Sequence, residues 1–291
     1  MLKILAFFRR HPVLTYLTLT FALSWGSWLL LTGGAAMRSD PRFMFMVLTA
    51  PVAPAIAGLL MTGLTAGRTG YRELLARLFR WRVEARWYAV ALLLFPLVTI
   101  MTALLLALSL RSPEFLPAIF TTADPVGLLL PGVTGGLLIG LCEELGWTGF
   151  AIPRLRLRYG VLATGLLLGV VWGAWHAALF SRSDSFAGAL PLALLLAQLF
   201  AWLPAYRVLM VWVYDRTGSL LVAMLMHVSL AATSMIFPPP VISDMQALTS
   251  ILVSAGAWWL LVAVVQGLQI LPRQGRGAPP VGISTRKGAS S

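Results

Sequence analysis

Eight stretches of this chain contain no Asp, Glu, Lys or Arg and are overwhelmingly apolar: residues 13–33, 43–64, 87–110, 126–142, 161–180, 187–206, 217–237 and 247–271. A helix rising 1.5 Å per residue needs about 20 apolar residues to cross about 30 Å of hydrocarbon. Most of the eight meet that length; 126–142 falls short and is expected to continue as helix past Glu143. With 59% hydrophobic and only 11% charged residues, the 291-residue chain has more apolar surface than a soluble domain can bury. The pattern predicts an all-α, polytopic integral membrane bundle of about eight transmembrane helices. It forms one domain over residues 1–271, followed by a disordered cytosolic tail at 272–291 that is rich in Gly, Pro, Ser and basic residues.

Orientation comes from the basic residues. If the intervening segments alternate inside and outside from an inside N-terminus, the inside set holds Lys3, Arg9, Arg10, Arg68, Arg72, Arg77, Arg80, Arg82 and Arg86. It continues with Arg154, Arg156, Arg158, Arg207, Arg216, Arg273, Arg276, Arg286 and Lys287, making eighteen of the twenty-two. Arg38, Arg42, Arg111 and Arg182 fall outside. This bias places both termini in the cytosol. It also accounts for the net charge of +12 through anionic lipid headgroups, without nucleic acid. The first apolar run is too long for a signal peptide, and the lone Cys142 excludes an internal disulfide.

Residues 70–86 read as an interfacial amphipathic helix with Leu74, Leu78 and Trp81 on one face. Most of the ten acidic residues lie in loops or among arginines. Glu143 and Glu144 instead extend the apolar run GGLLIGLC, and His176 and His227 lie within spans. Ionisable groups at membrane depth are costly in lipid and mark candidate functional sites. Gly132, Gly136 and Gly140 recur every four residues on the fourth span, as do Gly165, Gly169 and Gly173 on the fifth. Small residues at this spacing let helices approach closely, and the two stripes are expected to meet, with Glu143 and His176 directed toward that contact.

Glu143-Glu144-Leu145-Gly146-Trp147-Thr148-Gly149-Phe150 resembles the E-E-x-x-x-R-G motif of the CAAX-protease and bacteriocin-processing family of intramembrane proteases. Trp172-Gly173-Ala174-Trp175-His176 resembles its second motif, and Thr217-Gly218-Ser219 leading to His227 its third. The resemblance covers about residues 70–235, with all the motifs inside 143–231. It implies an intramembrane endopeptidase in a bacterial cytoplasmic membrane, acting on a membrane-tethered protein or peptide. Glu143 would be the general base, beside Glu144, with His176 and His227 polarising the scissile carbonyl. Water must reach Glu143, so a polar cavity is expected, opening to the cytosol.

Two positions depart from the family pattern: Thr148 replaces the arginine of the first motif, and Ala231 stands where Asn or Asp follows the last histidine. The expected partners of Glu144 and His227 are thereby lost. Straight helices would also separate Glu143, His227 and His176 by roughly 10–15 Å in depth. No cofactor is expected. A zinc site of Glu143, His176 and His227 is the alternative, although no tight ligand spacing such as HExxH supports it. The rival functions are a catalytically inactive relative, acting as a membrane scaffold or bacteriocin-immunity-type protein, and a small-solute transporter. The paired broken helices of a transporter are not evident.

Overall fold

The computed structural model describes residues 8–32, 49–120, 122–237 and 243–270. Among these residues there are no strands, and nine helices of twelve or more residues form an all-α polytopic membrane bundle. They are α1 (Pro12–Thr32), α2 (Val52–Leu78), α3 (Ala85–Ser109), α4 (Pro125–Gly146), α5 (Val161–Trp175), α6 (Ala189–Phe200), α7 (Leu203–Thr217), α8 (Leu220–Ile236) and α9 (Asp244–Ile270). Five segments are long and apolar enough to cross a bilayer: Pro12–Leu30, Ala85–Ser109, Pro125–Leu155, Ala189–Thr217 and Asp244–Gly267. α5 and α8 are shorter apolar helices. The expected tail at 272–291 lies outside the described residues, as does 43–48 of the second expected span.

Local chemistry sets the helix ends. Asp124 caps α4 by accepting from the Gly127 amide at 2.9 Å, with Pro125 at the first helical position. α4 runs unbroken through Pro131 and past Glu143, as expected, and ends in a π-helical turn over Trp147–Ala151. Gly218, at φ 60°, ends α7, and the Ser219 side chain accepts from the Val222 amide to start α8. This tight reversal sets α7 and α8 side by side, where the Tyr206 hydroxyl donates to the Met226 carbonyl at 2.7 Å. α2 breaks at Gly67 (φ 54°) and continues only to Leu78. Leu74 packs with Leu220 and Met224, whereas Trp81, expected on the same helical face, lies beyond the end of the helix and is exposed.

The glycine stripes pack closely, but against other partners than expected. α4 lies antiparallel to α8: a methyl group on Gly136 would sit 2.8 Å from the Ala232 backbone nitrogen, and one on Gly140 2.5 Å from that of Val228. The α5 stripe faces α7, where a methyl on Gly169 would sit 2.5 Å from the Pro204 Cα. The fourth and fifth spans therefore each grip a later helix. The reason is chain reversal: α7 and α8 return as a pair, and each presents backbone to one glycine face.

The basic segments gather at one end of the bundle. Arg9 donates to the Leu64 carbonyl, Arg77 to the Gly149 carbonyl and the Tyr214 hydroxyl, and Arg154 to Thr65. Arg156 pairs with Asp215 at 2.6 Å. At the opposite end, Arg182 pairs with Asp184 at 2.6 Å and with Asp244, the first residue of α9, at 2.9 Å. That bond holds the Asp184 carboxyl below its usual range. Arg207, read from the sequence as a loop residue at the basic end, is instead fully buried within α7, about one turn from its start.

Replacing Gly140 with Leu should force the α4–α8 contact apart and destabilise the protein by about 1–3 kcal/mol, the usual cost of overpacking. Gly256→Ala, with open space around it, should be neutral or stabilising. Thermal unfolding of the two variants in one detergent compares them.

Candidate active site

Glu144 is fully buried and accepts three side-chain bonds. Its Oε1 accepts from Arg207 Nη1 at 2.9 Å and lies 2.7 Å from His227 Nδ1, while its Oε2 accepts from the Thr148 hydroxyl. An ionised carboxylate already paired with a guanidinium is an acceptor, so Nδ1 of His227 carries the proton in this bond and its Nε2 turns toward Glu143. The Nε2–Oε2 distance is 3.9 Å. Glu143 is itself 2% exposed, and its Oε2 accepts from the indole nitrogens of Trp172 at 3.0 Å and Trp147 at 3.2 Å.

Trp172 links the groups. Its ring carries the Arg207 guanidinium over one face at 4.0 Å and meets the His227 and His176 rings edge-on, at centroid distances of 5.3 and 4.9 Å. His176 ends α5, with Nδ1 2.8 Å from the Trp172 carbonyl and its ring stacked on Phe180. A carbonyl only accepts, so Nδ1 of His176 donates and Nε2 is left for other partners.

Glu143, His176 and His227 line one cavity of about 650 Å³, within the range of ligand pockets. Glu144 and Arg207 stand behind them, away from it. The lining is mainly apolar and aromatic, with Trp25, Phe95, Trp202 and Trp258, and carries scattered polar groups such as Thr102 and Gln198. The cavity runs from Glu143 to Arg182, Phe237 and Ala247, the end opposite the basic segments. An opening toward the cytosol and a cytosolic basic end, both expected from the sequence, are therefore incompatible.

The expected separation in depth does not arise between Glu143 and His227. The antiparallel register of α4 and α8, set by the glycine contacts, brings His227 beside the glutamates, and His176 reaches the same cavity through Trp172. Among the described residues, no three His, Cys, Asp or Glu side chains form a set able to hold a metal ion. Sequence reasoning missed Arg207, although the apolar residues on both sides of it, Leu203–Tyr206 and Val208–Val213, were the available signal. It also missed the two indole donors.

The arrangement is a buried carboxylate at the floor of a cavity, with two imidazoles lining the same space. Residues 125–233 match the family model described as type II CAAX prenyl endopeptidase Rce1-like. The chain is 27% identical over 188 residues to CAAX prenyl protease 2 of Methanococcus maripaludis, a match covering 62% of this chain and 66% of the relative. The segment that holds all four site residues is thus the part of the chain that resembles the CAAX-protease and bacteriocin-processing family.

Arg207 supplies the cation that Thr148 cannot, so the surroundings of Glu144 are already complete. Thr148→Val should destabilise the protein by about 1 kcal/mol, the net value of one hydrogen bond. Arg207→Met should cost about 3–5 kcal/mol by leaving a buried charge unpaired. Thr148→Arg should lower the yield of folded protein, because position 148 is fully buried and its carboxylate partner is taken. Melting temperature and monodisperse yield in detergent report all three.

Proposed function

We propose that this protein is an intramembrane endopeptidase that hydrolyses a peptide bond of a membrane-tethered protein or peptide, with Glu143 as general base. The observation that carries this reading is the placement of Glu143: held by two indole donors through Oε2, beside His227 and on the wall of a cavity large enough for a peptide segment. The proton of an incoming water passes to Glu143, the resulting hydroxide attacks the scissile carbonyl, and the proton is then delivered to the departing amine. His227, fixed by Glu144, presents Nε2 to the same space. With a proton on that nitrogen it donates to the developing oxyanion; Glu143 has by then taken the proton of the water, and the charges of Glu144, Arg207, His227 and the oxyanion sum to zero. His176 offers a second imidazole to the same cavity. No cofactor takes part in these steps.

The inactive-scaffold reading rested on Thr148 and Ala231. What weighs against it is that Glu144 keeps a cationic partner in Arg207, and that His227 keeps an orienting partner in Glu144 without help from position 231. Such orienting partners set the activity of the groups they hold.

Purified protein should cleave susceptible membrane-tethered peptides, and Glu143→Gln should lower the rate by roughly 10²–10⁴-fold, the usual contribution of general-base catalysis, with the melting temperature retained. A Glu143→Gln variant as active as the parent would remove Glu143 from this role.

A further inference from the structure

We infer that the site takes its substrate from the extracytoplasmic side of the membrane, so that the scissile segment belongs to a polypeptide tethered at the outer face and not to a cytosolic one. This rests on the protease reading for what happens at the site, but the direction of access rests on separate observations.

The first is the direction of the cavity along three of the helices that line it, with Glu143 of α4 at its inner end. On α3, which starts at the basic end, the lining residues are Phe95 to Ala103, in the middle and far part of the helix. On α8, which also starts there, they begin at His227 and end at Met235. On α9, which starts at the other end, they are the early residues Ala247 to Trp258. The cavity reaches the surface at Arg182, whose side chain is 38% exposed.

The second observation is what lies on the other side of the glutamates. Trp147, Thr148, Phe150, Ala151 and Ile152 follow them directly and are fully inaccessible, as is Leu220 at the start of α8. Beyond this layer come Arg77 and Arg154, bonded to the carbonyls of Gly149 and Phe150. A substrate approaching from the basic end would meet a packed plug.

The third is charge. Even with Arg207 removed from the loop set, the described arginines at 9, 10, 68, 72, 77, 80, 82, 86, 154, 156, 158 and 216 lie at the plugged end, against Arg111 and Arg182 at the other. Arg182 is moreover paired with two aspartates. A bias of this size holds the plugged end in the cytosol, which turns the cavity outward.

The test uses full-length protein in spheroplasts, with Cys142→Ser removing the native thiol. Ser250→Cys places a thiol on the cavity wall, and Arg82→Cys places one at the plugged end. A membrane-impermeant sulfonated maleimide should label position 250 in intact spheroplasts and position 82 only after permeabilisation. The reverse pattern would overturn the inference, and so would no labelling of position 250 in either state, since the cavity would then be closed to water. In parallel, a susceptible peptide is fused to a single-span anchor, facing outward in one strain and toward the cytosol in another. Cleavage that depends on Glu143 is expected only for the outward fusion, and such cleavage of the cytosolic fusion would also overturn the inference. Outward labelling with neither fusion cleaved would leave the direction of access standing and remove the protease reading instead.

Discussion

A guanidinium and a carboxylate buried among apolar helices have no water to fall back on, and each is held by what the other offers. Arg207 and Glu144 are both fully inaccessible and 2.9 Å apart, so α4 and α7 must stay in register for the bundle to exist. The rest of the site hangs on that pairing. Glu144 orients His227 and engages Thr148, Arg207 lies over Trp172, and Trp172 donates to Glu143. The glycines of α4 and α5 serve the same end, because the helices could not bring such short polar side chains into contact without close backbone approach.

Membrane class and helical architecture were legible because apolar runs and the distribution of arginine are one-dimensional signals. Glu143, Glu144, His176 and His227 were legible as ionisable groups in apolar surroundings. The partners of the helices were not. A glycine stripe states that something comes close but not which helix, and α4 chose α8 over α5 because α7 and α8 return together through the Gly218 reversal. Arg207 was hidden by a boundary: with the sixth span ended at Tyr206, the arginine fell into a loop, whereas α6 breaks near Ala201 and α7 carries it back into the core.

Thr148 and Ala231 show how a family pattern can change while the partners of its carboxylate and imidazole are kept. A cation is needed near Glu144, yet nothing requires it to come one turn along the same helix. Supplied from α7, it reaches the same oxygen, and the hydroxyl at 148 takes the other. Loss of a side chain at 231 leaves apolar wall in the cavity, while His227 is oriented from behind by Glu144. Matching a motif position by position understates what the surrounding helices provide.

The packed layer from Trp147 to Ile152 makes the cavity a well with a floor and not a channel. A polar space that admitted water from both faces would short-circuit the gradients a membrane exists to maintain. Here the space ends against indole, phenyl and aliphatic side chains with no room for a file of water, so the bilayer stays electrically tight beneath the cavity. For the proposed protease the same floor imposes a traffic rule: whatever is cut must back out through the mouth by which it came. The rate of turnover is then open to control by how readily the severed end lets go, as well as by the bond-breaking step.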